Sequence, residues 1–343
     1  MKIFISGGAG FIGSNFVYHL LSSPAGHCVV NYDALTYAGN LLNLERIAGQ
    51  PGYRFVRGNI CDGAAVRAAM QGCDAVVHFA AESHVDRSIY EPAPIIETNV
   101  RGTLVLLQVA RELKISRFVH VSTDEVYGDI PPGRTSDENY PLQPNSPYSA
   151  SKAASDMLVR SFFRTYDFPG VITRASNNYG PYQFPEKFIP LMIANALEDK
   201  PLPIYGDGLQ ERDWLHVEDH CRALLAVLER GRIGEVYNIG AGNTESNLSM
   251  VRRILRTLGK PESLMTRVVD RPGHDRRYAL DCSKITKELG WSPTISLEHG
   301  IQQTIAWYRS NAAWLQHVRN GDYQRYYDTY YTNRDKSMKT VTA

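Results

Sequence analysis

Lys2-Ile3-Phe4-Ile5-Ser6-Gly7-Gly8-Ala9-Gly10-Phe11-Ile12-Gly13 is the stretch whose reading decides the fold. Residues 3–6 read as a buried strand, and Gly7, Gly10 and Gly13 follow at once, ahead of an apolar pattern that opens a helix. Glycines there let the backbone turn tightly and approach a pyrophosphate, which then lies at the positive end of the helix. The pattern alone also fits a plain tight turn. Asp33, about 20 residues further on at the end of a second strand, supplies the carboxylate that accepts the hydrogen bonds of an adenine ribose. A carboxylate there repels a 2′-phosphate, so the expected cofactor is NAD rather than NADP.

Working outward, residues 29–32, 54–56, 75–79, 118–122 and 171–174 are short β-branched or aromatic runs, separated by helix-compatible stretches such as 93–113 and 149–166. Strands separated by helices that long pair in parallel through crossovers, which predicts an α/β fold with a doubly wound, mostly parallel Rossmann sheet. Beyond about residue 180, Pro181, Pro185, Pro190, Pro201 and Pro203 break the chain into short segments. Residues 236–239 are expected to return to the sheet. Residues 243–290 read as a smaller mixed α/β lobe, with a helix near 250–258 and the loop Asp270-Arg271-Pro272-Gly273-His274.

The chain has 343 residues, 43% of them hydrophobic, enough to bury a substantial core. A formal net charge of +1 gives no global basic field, so no nucleic-acid partner is expected and an anionic ligand must be recognised locally. The five cysteines are scattered, with no C-x-x-C pair and no histidine at metal-site spacing, so no metal is expected. No apolar run is long enough for a bilayer, and the amino terminus has no room for a signal peptide. A reduced, cytoplasmic location without membrane association is the expectation.

Two further segments carry chemistry. In Tyr148-Ser149-Ala150-Ser151-Lys152 the tyrosine and lysine lie one turn apart on a helix face. With 20 tyrosines such a pair also arises by chance. A free phenol has a pKa of about 10, and an ammonium within reach lowers that by roughly 1 to 3 units, which suits Tyr148 as base and Lys152 as its tuning cation. Val121-Ser122-Thr123-Asp124-Glu125-Val126-Tyr127-Gly128 places a hydroxyl, an acid and a base in succession where an apolar strand ends, the sheet edge at which open α/β folds bind ligands. An adjacent Asp and Glu are otherwise simply solvated.

The G-x-x-G-x-x-G spacing and the Tyr148/Lys152 pair resemble the extended short-chain dehydrogenase/reductase superfamily. Within it, Ser122-Thr123-Asp124-Glu125-Val126-Tyr127-Gly128 is similar to the signature of the dTDP-glucose 4,6-dehydratases. Residues 79–88 (FAAESHVDRS), Ser176-Asn177-Asn178-Tyr179-Gly180-Pro181 and Phe184-Pro185-Glu186-Lys187 agree, and the resemblance runs from Met1 to about Tyr308. It implies a hydro-lyase cycle: oxidation at C4 of the hexose, loss of water across C5 and C6, and return of the hydride to C6.

The same resemblance assigns catalysis to Thr123, Asp124, Glu125, Tyr148 and Lys152. It implies that Gly7, Gly10, Phe11, Ile12, Gly13, Asp33, Leu35, Thr36, Asn59, Ile60, Phe79, Ala80, Ala81, Thr98, Tyr148, Lys152 and Asn178 line the NAD site. Glu82, Ser83, Thr123, Asn177, Lys187, Phe188, Arg212, Asn247, Arg271 and His274 are to hold the sugar nucleotide, with Pro203, Ile204 and Tyr205 against its base. Asn59 stands where the family usually has Asp, and its amide oxygen can still accept from the adenine amine. The domains implied are an NAD-binding Rossmann domain with the catalytic residues (1–180), a sugar-nucleotide lobe with segments returning to that domain (181–331) and a disordered tail (332–343). A homodimer is expected from the family alone. A 4-epimerase, a dehydratase of a UDP-, CDP- or GDP-linked sugar, and a non-catalytic nucleotide sensor share parts of this pattern.

Overall fold

The computed structural model describes residues 1–319 together with Tyr323 and Tyr327; the expected tail at 332–343 lies outside the described residues. The strands are β1 (Lys2–Ser6), β2 (Cys28–Asp33), β3 (Tyr53–Arg57), β4 (Ala75–His78), β5 (Arg117–Thr123), β6 (Gly170–Ala175), β7 (Asn177–Tyr179), β8 (Leu202–Tyr205), β9 (Glu211–His216), β10 (Val236–Ile239), β11 (Thr244–Ser246) and β12 (Met265–Val268). Seven of them form one sheet in the order β10-β6-β5-β4-β1-β2-β3. Every neighbouring pair in it is parallel. The chain reverses its direction of travel across the sheet between β1 and β4, so a crevice opens at their carboxyl ends. Ile3, Ile5, Val77, Val119 and Val171 pack with Phe16 and Leu224 on one face, and Phe4, Val76, Phe118 and Ile172 with Leu106 and Val159 on the other. Burial on both faces is why these strands read as continuous apolar runs.

The smaller sheet runs β11-β9-β7, with β8 and β12 forming a separate parallel pair. Tyr179, Ile193, Ile254 and Ile301 centre its core, separate from that of the main sheet. Because β7 follows β6 almost directly, β6 hands the chain straight from the main sheet to the small lobe. Among the described residues no helix is long and apolar enough to cross a membrane.

Two helices position the crevice. Helix Pro147–Tyr166 starts with Pro at its first position and a reciprocal cap, in which Ser149 N donates to Ser146 Oγ at 3.1 Å and Ser146 N to Ser149 Oγ at 3.0 Å. Residues 93–113, expected as one helical run, are instead divided: a π turn, Glu97–Gly102, separates Pro92–Ile96 from Thr103–Glu112. The wide turn brings Asn99 to the crevice, where its Nδ2 donates to Glu82 O (2.9 Å) and Ser151 Oγ (2.8 Å) and its Oδ1 accepts from Glu82 N (2.8 Å).

The glycine turn tolerates little change. A Cβ on Gly13 would lie 2.3 Å from Gly7 O and 2.8 Å from Gly8 Cα, both backbone. Gly13→Ala is therefore expected to cost about 1 to 3 kcal/mol, measured by denaturant unfolding. Gly49→Ala, where a Cβ meets nothing within 4 Å, serves as the control and should stay within roughly 0.5 kcal/mol.

Candidate active site

The crevice is a single cavity lined by the glycine turn and by the ends of β1, β2, β4, β5 and β6. Gly7 has φ +77°, and a Cβ there would lie 2.5 Å from Ala80 N. At Gly10 a Cβ would meet only Gly7 O, at 3.4 Å, and would project beside the cavity that Gly10 lines. Helix Phe11–Ser22 begins at Gly10 without a side-chain cap, which leaves its first N–H groups for an anion. Asp33 Oδ2 accepts from Ala9 N (2.9 Å) and Oδ1 from Leu35 N (2.8 Å), so its carboxylate is fixed while each oxygen keeps a lone pair. These features fit a dinucleotide whose pyrophosphate meets the helix and whose ribose meets Asp33.

Of the residues expected around NAD, Gly7, Gly10, Phe11, Ile12, Gly13, Asp33, Thr36, Asn59, Ile60, Phe79, Ala80, Ala81, Thr98, Tyr148, Lys152 and Asn178 line this cavity. Leu35 does not. Its backbone takes φ 55° to meet Asp33, and its side chain packs on the sheet core instead. Asn59 Oδ1 accepts from Cys61 N at 2.9 Å, so part of the acceptor capacity expected for adenine is already used.

At the carboxyl end of β5, Thr123 caps a 3₁₀ turn, Asp124–Tyr127, by accepting from Glu125 N at 3.2 Å. The turn aims Thr123, Asp124 and Glu125 into the cavity that Tyr148 and Lys152 also line. Asp124 is 2% exposed, its Oδ2 has no hydrogen-bond partner among the described residues, and burial followed by the neighbouring Glu125 raises its carboxyl well above the usual range. Glu125 is also raised by burial, but its nearest charges, Arg271, Arg212 and Lys187, pull it down. Arg212 bears on both carboxyls; they differ in that Glu125 and Asp213 add to the rise at Asp124, whereas Arg271 and Lys187 join Arg212 in opposing it at Glu125.

One expectation needs correction. The phenol of Tyr148 is raised rather than lowered in this state: burial, then Glu125 and Asp124, raise it, against a lowering hydrogen bond with Thr123. Lys152 Nζ donates to Val121 O at 2.8 Å, and burial pulls it down to about 8. The physical reason is burial first, with the carboxylates that share the pocket adding to it, while the ammonium is committed to a carbonyl.

Glu82, Ser83, Asn177 and Lys187 line the same cavity. Lys187 Nζ donates to Ser83 O at 2.5 Å. Arg212, 5% exposed, donates to Asp275 O (2.9 Å) and stacks on Tyr278. Tyr205, Arg271 and His274 form an adjoining cluster in which His274 Nδ1 lies 2.6 Å from Asp270 Oδ1. Pro203 and Ile204 lie buried in β8, and Asn247 opens helix Asn247–Leu258. Phe188 departs from expectation: its ring stacks on Trp214 at 5.8 Å and packs against the small-lobe core rather than lining the cavity.

Sequence reasoning missed Gln183, Glu186 and His220, which also line the cavity. Glu186 stood inside a quoted motif, but its pairing with Arg87 (3.3 Å) has no local signal. His220 sits on helix Val217–Arg230 with Nδ1 2.9 Å from Asn178 Oδ1, and nothing in its neighbourhood distinguishes it from a core histidine.

The family model described as GDP-mannose 4,6 dehydratase matches residues 4–304. A dTDP-glucose 4,6-dehydratase of Xanthomonas campestris pv. campestris (strain B100) is 52% identical over 340 residues, covering 93% of this chain and 96% of its own. The crystal structure of DesIV, a dTDP-glucose 4,6-dehydratase from Streptomyces venezuelae with NAD bound, matches with a TM-score of 0.91 at 49% identity, covering 93% of this chain and 100% of its own. A UDP-glucose 4-epimerase from Thermotoga maritima has the same fold, with a TM-score of 0.85 at 31% identity over 91% of this chain and 100% of its own. With identity at this level over nearly the whole length, the chain belongs to the dTDP-glucose 4,6-dehydratase family of the extended short-chain dehydrogenase/reductase superfamily.

Proposed function

We propose that this chain is a hydro-lyase that converts dTDP-glucose to dTDP-4-keto-6-deoxyglucose. The observation that carries the reading is the Asp124–Glu125 pair, its two carboxyls unequally surrounded by cations, beside Tyr148 in a cavity shaped for a dinucleotide. NAD, held by the glycine turn and Asp33, supplies the hydride acceptor at C4 and the hydride donor at C6. A fold-sharing 4-epimerase needs only the tyrosine and its cofactor, whereas the elimination needs an acid and a base on the same hexose.

In this reading Tyr148 takes the proton of the C4 hydroxyl, and Thr123, hydrogen-bonded to that phenol, steadies the 4-keto oxygen. The raised phenol makes Tyr148 a strong acceptor once deprotonated, and protonation of Asp124 removes one of the charges that oppose its ionisation. Lys152 anchors the nicotinamide ribose from its place on Val121 O. The ketone acidifies C5–H, Glu125 removes that proton, and Asp124 protonates the departing C6 hydroxyl, leaving the enone; C5 is reprotonated when hydride reaches C6. Asp124 is assigned as the acid because burial and the neighbouring Glu125 raise it well above the usual range; Glu125 is assigned as the base because Arg271, Arg212 and Lys187 oppose the rise that burial causes there.

Arg212, Arg271, Lys187, His274 and Asn247 are the proposed holders of the sugar nucleotide, with Tyr205 and β8 beside its base. The guanidinium fork suits a diphosphate, which supports an anionic ligand despite the near-neutral chain. Residues 1–180 and 181–331 are proposed as the cofactor and sugar-nucleotide parts, working as a homodimer in the cytoplasm.

Incubation with dTDP-glucose deuterated at C4 should give a 4-keto-6-deoxy product carrying the label at C6; label retained at C4, or an epimer without loss of water, rejects the reading. Glu125→Gln should lower water loss by about 10²- to 10⁴-fold while substrate still reduces bound NAD, seen as 340 nm absorbance. Tyr148→Phe should suppress that absorbance change and product formation alike, by a similar factor.

A further inference from the structure

Residues 83–88 carry the family likeness, yet the reaction as derived gives Asp86 no task. It lies in the first turn of helix Val85–Tyr90, in the large lobe, and is 1% exposed. Its two oxygens reach across to different segments of the small lobe. Oδ2 accepts from the Tyr205 hydroxyl at 2.9 Å, and Oδ1 accepts from Arg271 Nη1 at 3.2 Å. Tyr205 ends β8, where it is paired in register with Val268 of β12, and Arg271 follows three residues later. One buried carboxylate thus spans the outlet of a two-stranded sheet and fixes the direction of both side chains that leave it.

The remainder of the cluster has its own supports. His274 is held by Asp270, which also accepts from Gln210 Nε2 at 2.8 Å and from Arg271 N at 2.8 Å. The Tyr205 ring meets the His274 ring edge-on at 6.1 Å. Arg271 Nε is buried without a hydrogen-bond partner among the described residues, a donor left over after Asp86 has engaged the fork through Nη1. Asp86 is also the first neighbour holding Arg271 in its charged form.

We propose that Asp86 is a positioning residue that presets Tyr205 and Arg271 for the nucleoside-diphosphate end of the substrate, an inference that rests on the reading above in which those two residues hold that end. The alternative is a counter-ion that occupies Arg271 and must yield to the diphosphate. The geometry favours positioning, because Asp86 is tied by its other oxygen to Tyr205 and is closed off from solvent, so it stays behind Arg271 rather than in the ligand's path. Preorganised donors cost less ordering when the ligand binds, so the effect falls on binding and not on hydride or proton transfer.

The test is a split between KM and kcat. Asp86→Ala should raise KM for dTDP-glucose roughly ten- to a hundred-fold, leave kcat within about twofold and leave NAD affinity unchanged. Asp86→Asn, which keeps a group able to bond to both partners, should raise KM less. In a Tyr205→Phe background the effect of Asp86→Ala should shrink, since the bond to the Tyr205 hydroxyl is already gone. If Asp86→Ala fails to fold, Asp86→Asn and Tyr205→Phe carry the same comparison.

A lowered KM identifies a competing counter-ion and overturns the proposal. An unchanged KM overturns it too, with or without loss of kcat. Calorimetric titration with thymidine diphosphate separates this from the reading beneath it. If Arg271→Lys leaves that affinity unchanged, the assignment of Arg271 to the diphosphate fails and the proposal with it. If Arg271→Lys weakens binding while the Asp86 variants do not, only the role of Asp86 fails.

Discussion

A buried ion pair between Asp156 and Arg174, 2.8 Å apart, holds together the parts of the active site that come from different stretches of chain. Asp156 lies one turn beyond Lys152 and two beyond Tyr148 on helix Pro147–Tyr166, and Arg174 is in β6. Arg174 Nη1 also donates to the Tyr127 hydroxyl at 2.9 Å, and that hydroxyl donates to Asn238 Oδ1 at 2.8 Å. Tyr127 closes the 3₁₀ turn that starts at Asp124. The helix with the tyrosine, the turn with the two carboxyls and β10 with Asn238 are thereby locked to one guanidinium. Burying such a pair adds little net stability, since desolvation offsets the attraction, but removing either partner strands the other. Its contribution is geometric.

The chemistry then depends on a contrast between neighbours in sequence. Asp124 and Glu125 have similar intrinsic acidity, and Asp124 is the more deeply buried. Arg212 bears on both, and they differ in the rest of what surrounds them: Glu125 and Asp213 push Asp124 up, whereas Arg271 and Lys187 pull Glu125 down. Asp213 is itself held by the N–H groups of Ala241, Gly242 and Asn243, so its charge is fixed in place. Environment, not residue type, separates the acid from the base.

This contrast explains what the sequence made legible. Strand runs buried on both faces announce a parallel sheet, and a glycine turn followed by Asp33 announces a dinucleotide, because both signals are local. The carboxyl pair is visible as a motif, but its division of labour comes from Lys187 and Arg271, far along the chain. The same holds for Leu35 and Phe188, which look suitable for a ligand and are claimed by apolar packing instead. Tyr148 was misjudged in its free state for a related reason: the spacing to Lys152 is readable, whereas the carboxylates facing the phenol and the carbonyl occupying the lysine are not. The π turn at Glu97–Gly102 leaves no trace in hydrophobic periodicity, since one wide turn shifts the pattern by less than a residue type can register.

A chain of net charge +1 gains a site for an anion by concentrating cations rather than by carrying an excess of them. Each of the three is compensated without a ligand. Lys187 donates to Ser83 O, Arg212 to Glu211 O and Asp275 O, and Arg271 to Asp86. Three of these four partners are backbone carbonyls, so the cations keep donors to spare while none is left as a bare buried charge. On the proposed reading, a diphosphate meeting Lys187 or Arg212 would have no ion pair to break there among the described residues, since their partners are carbonyls. Local compensation by neutral acceptors is what lets a nearly neutral surface conceal a strongly cationic pocket, and it is why composition alone excluded a nucleic-acid field but not a charged substrate.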